Sequence, residues 1–321
     1  MSTQTKLTVP PNREAALTAR KPNIFNTFRR DYQLWIMIIP AIIVIFIFNY
    51  IPMYGIQLAF RDYDYTKGLT GGEWHGLYYF KMFIDNYLFK DIMWNTIKIS
   101  LATIIIGFPA PILLALLINQ IRWKRAKKTL QTTVYMPHFI SIVVMVGMLN
   151  VMLSPNTGIV GNLMNRLGYG DINLLASTNS FIPVYVLSDI WQHCGWNSII
   201  YLAALSSVDP QLYDSSKIDG ANRWQTIRHI DLPSIVPTMI ILFILSMGNV
   251  LGTGFEKIFL MQNTLNLPVS EVIATYVYKI GILSNQISYS SAIGLFNTLI
   301  NFFFLFVTNA IAKRVSNISL W

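Results

Sequence analysis

The chain has 321 residues, of which 53% are hydrophobic and only 12% are charged, and its mean hydropathy is +0.46. Soluble domains carry about 25% charged residues, so this composition excludes an ordinary soluble protein and indicates a membrane protein. The single cysteine, Cys194, excludes intrachain disulfides and cysteine-rich metal sites, while the net charge of +9 has to be explained by where the basic residues lie.

Six apolar runs reach or approach the roughly 20 residues that a helix needs to cross the hydrocarbon of a membrane. Because these runs are continuous and do not alternate with polar residues, they predict helices and not the strands of a barrel. The third and fifth runs contain Gly or Asn and are the weakest. The sequence thus predicts an all-α membrane protein with six transmembrane helices, at residues 34–60, 96–119, 133–153, 181–205, 234–252 and 291–312.

The predicted elements divide the chain into four parts. Residues 1–30 are polar and predict a cytoplasmic tail. Residues 31–95 hold the first span, expected to kink near Pro52 at its outer end, and an aromatic-rich external segment with a short interfacial helix at 77–87. Residues 96–315 form a core with the other five spans, and residues 316–321 form a second cytoplasmic tail.

Within the core, the second span carries Gly107, Pro109 and Pro111. A membrane helix tolerates such residues where neighbouring helices or water satisfy its backbone, so we expect this span inside the bundle. Residues 122–129 predict a basic cytoplasmic loop and residues 154–180 predict external turns. Residues 265–282 predict an amphipathic helix that is re-entrant or lies on the surface.

The basic residues predict the orientation of the chain. When the spans alternate from a cytoplasmic N-terminus, sixteen lysines and arginines fall in segments inside the cell and seven fall outside, Lys257 among the latter. The positive-inside rule describes such a distribution, so topology and anionic lipid explain the basic excess better than nucleic acid does. We expect a multi-pass protein of the cytoplasmic (inner) membrane with both termini in the cytoplasm.

A long polar loop at residues 207–233 joins the fourth and fifth spans, on the predicted cytoplasmic side. Its pattern predicts two short helices broken at Gly220, because a residue without Cβ permits a sharp turn. Cytoplasmic loops are commonly charged and variable, so the loop by itself leaves open whether it docks on a partner or is merely solvated.

Residues 214–221 read Asp-Ser-Ser-Lys-Ile-Asp-Gly-Ala and are followed by Trp224 and Leu232-Pro233. This stretch resembles the cytoplasmic E-A-A-x-x-D-G-A loop of ATP-binding-cassette (ABC) importer permeases. It departs from the family pattern at residues 214–216, where the family has Glu and two Ala. Residues 39–63, 272–281 and 312–321 are similar to the oligosaccharide and polysaccharide importers of that family, so the resemblance covers residues 30–321.

The resemblance implies the type I importer permease fold, with the loop as a coupling helix. The implied partners are a second homologous permease subunit, a dimeric cytosolic ATP-binding subunit, an extracellular or periplasmic solute-binding protein and an oligosaccharide substrate. The chain contains no G-x-x-x-x-G-K-[ST] phosphate loop, so ATP and Mg are expected on the partner ATPase, and no cofactor, metal or catalytic residue on this chain. The residues implied in ATPase coupling are Asp214, Ser215, Ser216, Asp219, Gly220, Ala221, Trp224 and Pro233.

Polar side chains inside the predicted spans are candidates for the substrate pathway, because polar groups in hydrocarbon usually face the bundle interior or a cavity. Asp189, His193 and Trp196 share one helical face of the fourth span. Sugars suit planar hydrogen-bonding and aromatic side chains, but interhelical hydrogen bonding alone would explain any single Asn or Gln. The candidates are Asn49, Asp189, Gln192, His193, Trp196, Asn197, Asn249 and Asn301.

Two other functions remain open from the residues alone. An ion-coupled secondary carrier of a small polar solute would need several intramembrane carboxylates and an inverted repeat, whereas only Asp189 is clearly within a span. A membrane enzyme would need a dense cluster of acids, histidines or metal ligands, whereas the four histidines lie in four separate segments.

Overall fold

The structure, a computed structural model, describes residues 32–69, 71–168, 173–252, 254–316 and 318–321. The tail predicted at residues 1–30, with its basic residues, lies outside this range. Over the described residues the chain is helical, and the only extended pairings there are two isolated β-bridges, Arg61 with Trp74 and Asp64 with Gly68. The predicted all-α class is confirmed.

The chain divides into two compact units between Ile56 and Gln57, within the last turns of the first helix. In chain order the helices of the described residues are α1 (Tyr32–Phe60), α2 (Tyr78–Ile84), α3 (Phe89–Asn119), α4 (Lys124–Phe139), α5 (Ile142–Met152), α6 (Ile159–Arg166), α7 (Phe181–Ser206), α8 (Pro210–Ile218), α9 (Arg223–Met247), α10 (Phe255–Met261), α11 (Leu267–Ser270), α12 (Ile273–Leu283) and α13 (Ile287–Ser316). The interfacial helix predicted at residues 77–87 corresponds to α2.

Four helices of the described residues, α1, α3, α9 and α13, are long and apolar enough to cross a membrane. The predicted fourth span, α7, is one helix of 26 residues, about 39 Å long at 1.5 Å per residue. Helix α7 is long enough to cross a membrane, but its polar side chains make it less apolar than those four helices. Together with the bent pair of α4 and α5, this helix set is compatible with the six spans predicted.

The predicted third span is wrong as a single helix, because α4 and α5 meet at 96°. Pro137 lies in the 3₁₀ turn that ends α4 and lacks the amide hydrogen that a continuing helix would need. Ser141 then begins α5, its side chain accepting a hydrogen bond from the Val144 amide at 3.4 Å. Most of the basic segment predicted at 122–129 is helical and not irregular, since α4 begins at Lys124 in a run of good helix formers.

π-helical turns precede prolines in three of the long helices. The turn Thr103–Gly107 in α3 precedes Pro109, the turn Ile227–Asp231 in α9 precedes Pro233, and the turn Phe46–Tyr50 in α1 precedes Pro52. A proline removes a backbone hydrogen bond and its ring crowds the preceding turn, and a widened turn accommodates both effects. In α1 this irregular backbone lies where the sequence predicts a kink.

Helix α7 lies at the centre of the second unit. Its buried Tyr185 and Val186 pack with α5 and α10, while its buried Tyr201 packs with α3 and α9. Gly195 lies where α7 crosses α4, and a Cβ at this position would overlap the Val134 carbonyl group. The two helices approach closely because the residue there is glycine.

The helix predicted at residues 265–282 is two helices, α11 and α12, broken at Glu271. Ile273, at the start of α12, is fully buried. Side chains of α3 satisfy the backbone at the break: the Asn95 amide donates to the Pro268 carbonyl at 2.8 Å, and the Thr96 hydroxyl accepts from the Ile273 amide at 3.0 Å. The turns predicted at 154–180 likewise contain a helix, α6.

Candidate functional site

The polar loop breaks at Gly220, as predicted. Helix α8 begins with Asp209 as its N-cap, whose carboxylate accepts from the Gln211 amide at 2.9 Å. It ends in a Schellman motif, in which the Gly220 amide donates to the Lys217 carbonyl at 3.1 Å and the Ala221 amide donates to the Ser216 carbonyl at 2.9 Å. Gly220 has φ +73°, a left-handed conformation that glycine adopts without strain.

The second short helix predicted in the loop is in fact the beginning of α9. Asn222 and Gln225 form a capping box, with reciprocal hydrogen bonds of 2.9 and 2.7 Å. The helix that starts there runs through Pro233 to Met247 without a break. A displacement of Trp224 in its first turn therefore acts directly on a membrane-spanning helix.

The solvent-exposed surface of the loop carries polar groups that make only weak or local interactions within the chain. Asp214 pairs with Lys217 at 2.9 Å, and both side chains are more than two-thirds exposed, so the pair contributes little stability and its partners are free to exchange. The Ser215 and Ser216 hydroxyls donate to carbonyls of their own helix at 3.1 and 2.9 Å. With their hydroxyls satisfied in this way, the two serines present a small surface much like that of alanine.

Two large apolar side chains of the loop are uncovered. Ile218 is 87% exposed and Trp224 is 70% exposed. Asp219, at the C-cap of α8, is exposed beside them. A tryptophan with nearby carboxylates is the kind of surface that a protein partner buries.

Beneath this surface, Asp231 connects three elements. Its carboxylate is fully buried and accepts from the Tyr213 hydroxyl of α8 at 2.6 Å, the Gln120 amide at 2.6 Å and the Asn119 amide at 3.2 Å, the last two at the C-terminal end of α3. Burial, and next the hydrogen bond to Asp231, raise the pKa of Tyr213 to about 12. Sequence reasoning missed Asp231; the available signal was an acid directly before an apolar run that begins at Leu232.

A groove of about 280 Å³ lies between α3, α7 and α9. It is lined by residues of the π-helical turn of α3, by Leu242 and Ser246 of α9, and by three of the predicted pathway residues on α7. Those three, Asp189, His193 and Asn197, are spaced by four residues along one face of the helix. They are the predicted pathway residues that the structure brings together.

Asp189 is paired with a lysine that the sequence places in an external loop. Lys257, on α10, is only 3% exposed and its ammonium group lies 3.3 Å from the Asp189 carboxylate. It also donates to the Tyr185 carbonyl at 3.2 Å and lies 4.8 Å from the centre of the Tyr185 ring. Lys257 is buried because α10 turns into the bundle and packs against α5.

Two of the four histidines meet at the bend between α4 and α5. The Nδ1 atoms of His138 and His193 lie 3.1 Å apart, and the His138 ring stacks on the Trp196 ring at 4.5 Å between centres. His193 Nε2 lies 3.9 Å from Asp189. Among the described residues, no group of three or more His, Cys, Asp or Glu could hold a metal ion.

The remaining pathway candidates lie elsewhere. Gln192 is buried and donates to the Ile140 carbonyl, at the bend, at 2.8 Å. Asn301 is buried and accepts from the Leu251 amide at 2.9 Å, in the turn after α9. Both satisfy the backbone where a helix has ended. Asn249 is exposed in that same turn, and Asn49 lies in the π-helical turn of α1, in the first unit.

Comparison with known proteins gives consistent matches. The family model described as "Binding-protein-dependent transport system inner membrane component" matches residues 107–317. Protein LplB of Bacillus subtilis is 39% identical over 309 residues, which cover 96% of this chain and 97% of that protein. The polygalacturonan/rhamnogalacturonan transport system permease protein YteP of the same organism is 40% identical and covers 92% of each chain.

Solved structures agree with these relatives. A chain from the crystal structure of a bacterial ABC transporter involved in the import of the acidic polysaccharide alginate is 37% identical, with a TM-score of 0.84 over 91% of this chain and 99% of that chain. A chain from the crystal structure of a bacterial alginate ABC transporter in complex with alginate pentasaccharide-bound periplasmic protein has the same identity and TM-score.

Proposed function

The chain belongs to the family of binding-protein-dependent transport system inner membrane components, and we propose that it forms half of an ATP-driven pathway for oligosaccharides. As a member of this family it is a multi-pass, non-enzymatic permease subunit of an ABC importer. The other half comes from a second, homologous permease subunit. A solute-binding protein delivers the sugar on the outer side, and a dimeric cytosolic ATPase supplies the energy. Both termini lie in the cytoplasm.

The sugar substrate is proposed from the relatives and the groove. YteP is named for polygalacturonan and rhamnogalacturonan, and the structural neighbours are named for alginate. The groove between α3, α7 and α9 offers Asn197 and His193 as planar hydrogen-bonding groups, the type that suits sugar hydroxyls. We propose that Asp189, His193 and Asn197 line the pathway, while Gln192 and Asn301 support the helices around it.

Coupling through the loop at residues 214–233 is proposed from its exposed surface. Helices α8 and α9 are firmly capped, and they expose Ile218 and Trp224 together with Asp214, whose ion pair with Lys217 is weak. From this surface α9 continues into the membrane. An ATPase that binds this surface has both an apolar anchor and charged contacts. Asp214, Ser215 and Ser216 then serve in place of Glu and two Ala, because the serine hydroxyls are turned back onto the helix.

Reconstitution tests the proposal. The purified chain, with the second permease and the ATPase that co-purify with it, is placed in liposomes with the binding protein and radiolabelled oligosaccharide. We expect uptake that requires ATP and the binding protein. Uptake by this chain alone down an ion gradient would instead support the secondary carrier and contradict the proposal.

Gly220 provides a sharper test of the coupling loop. At φ +73° a β-branched residue is strained by about 1–2 kcal/mol, although no atom lies within 4 Å of the point that its Cβ would occupy. Gly220→Val is therefore expected to distort the turn and lower sugar uptake per ATP hydrolysed. Gly220→Asn is the control, since asparagine tolerates the left-handed region, and it should couple nearly as well as the wild type. Equal coupling by both variants would show that the turn is not needed.

A further inference from the structure

We propose that Asp231 is a positioning residue that fastens the coupling helix α8 to the membrane helices α3 and α9, so that movement of α8 displaces two walls of the groove. The inference rests on the proposed function, since it concerns how a displacement imposed by an ATPase reaches the pathway. It assigns a role to a residue of the polar loop that is buried beneath the exposed surface on which the ATPase would bind.

The contacts place Asp231 at a point where the three helices meet. Its backbone belongs to the π-helical turn of α9. One carboxylate oxygen accepts from Tyr213 of α8 and from Asn119 of α3, while the other accepts from Gln120. The Asn119 amide also lies 3.5 Å from the Tyr213 hydroxyl, so the donors are themselves in contact.

A buried carboxylate is an expensive way to join helices. Asp231 is 0% exposed, and among the residues that the structure describes it forms no salt bridge. Three neutral donors hold it instead, and hydrogen bonds to a charged acceptor are short and strong. Apolar packing would join the helices at lower desolvation cost, whereas directed bonds fix their relative positions.

Helices α3 and α9, to which α8 is fastened, both line the groove. α3 runs from Asn119, which donates to Asp231, to Gly107, which lines the groove, over about 18 Å at 1.5 Å per residue. Its π-helical turn, Thr103–Gly107, contributes three of the residues that line the groove. α9 carries its own π-helical turn at Asp231 and reaches the groove at Leu242 and Ser246. π-helical turns are frequent at functional sites, and here one lies at the groove and the other at Asp231.

The test compares two substitutions of the same size at position 231 in the fully assembled transporter. Asp231→Leu removes every acceptor, so α9 loses its hydrogen bonds to α8 and to α3. Asp231→Asn keeps an oxygen for Tyr213 and Asn119, and the Gln120 amide can turn over to accept from the new amide group. The readout is sugar imported per ATP hydrolysed, a ratio that does not change with the amount of folded complex.

We expect Asp231→Leu to hydrolyse ATP but to import at least about tenfold less sugar per ATP, because it loses three hydrogen bonds to a charged acceptor and one such bond already corresponds to about that factor. Asp231→Asn should recover most of the wild-type ratio. Tyr213→Phe, which removes only the bond from α8, should fall between the two. If the Asp231→Leu complex fails to assemble, the ratio measured for Tyr213→Phe tests the inference in its place.

A wild-type ratio in Asp231→Leu, or in Tyr213→Phe when the leucine variant does not assemble, would overturn the inference. So would an asparagine variant as poor as the leucine variant, because the link would then not be the hydrogen bonds. These outcomes are distinct from a failure of the proposed function, in which the wild-type complex itself shows no ATP-driven uptake.

Discussion

The Lys257 ammonium group is held by the Asp189 carboxylate and by the carbonyl and ring of Tyr185. Removing one partner of such a pair leaves the other charge buried without compensation, which is far more destabilising than replacing both partners with apolar groups. Asp189 thus has two possible uses, to neutralise Lys257 and to face the groove, and a pair of variants separates them.

We expect Asp189→Asn to lower the stability of the complex, by less than the roughly 3–5 kcal/mol typical of fully buried pairs, because the Asp189 side chain is 27% exposed. The double variant Asp189→Leu with Lys257→Met should recover near wild-type stability. Thermal unfolding of the detergent-purified complex measures both. A stable double variant that no longer transports would assign Asp189 to the pathway, whereas an Asp189→Asn complex as stable as the wild type would contradict the importance of the pair.

At this scale, helical spacing alone predicts that Asp189 and His193 share a face. It does not predict their partners, since Lys257 and His138 are 68 and 55 residues away along the chain. Asp231 was missed for a different reason: an acid in a polar loop is normally solvated, and only the fold brings Tyr213, Asn119 and Gln120 around it.

At the scale of elements, apolar content alone did not decide whether a predicted span is one helix. The predicted span 181–205 agrees with α7 to within a residue, because nothing in it interrupts a helix except its third residue, Pro183, where a proline is tolerated. The predicted span 133–153 has a comparable apolar content, yet Pro137 and Ser141 turn it through 96°. The sequence shows both residues, but their effect depends on whether α7 supplies Gln192 to satisfy the Ile140 carbonyl at the bend.

The crossing of α4 and α7 gives a prediction at this scale. Gly195→Ala places a methyl group against the Val134 carbonyl, so the helices must separate and the His138–Trp196 contact must loosen. We expect a lower yield of folded protein and a lower unfolding temperature. Gly147→Ala in α5 is the matched control: no atom lies within 4 Å of that position, and alanine favours a helix over glycine by about 1 kcal/mol. Equal behaviour of the two variants would contradict the close approach.

At the scale of the whole molecule, the charge distribution predicts which loops face the cytoplasm. Cys194 is the only cysteine, so a Cys194→Ala background allows single cysteines to be labelled. Tyr87 is 86% exposed on the predicted outer side, and Trp123 is 80% exposed on the predicted inner side. In intact cells, a membrane-impermeant thiol reagent should label Tyr87→Cys and should label Trp123→Cys only after permeabilisation. The reverse pattern would invert the topology.

The pairing of Asp189 with Lys257 leaves the groove wall electrically neutral, since Asp189 is the one charged residue among the described residues that line it. The membrane potential is negative inside, and moving one charge against it costs about 2.3 kcal/mol per 100 mV. A cargo with five negative charges would thus face about 12 kcal/mol at 100 mV, while an uncharged sugar would face none. A neutral wall gives an anionic cargo no electrostatic stabilisation on its way through, so import should become slower as the negative charge of the cargo and the voltage across the membrane increase.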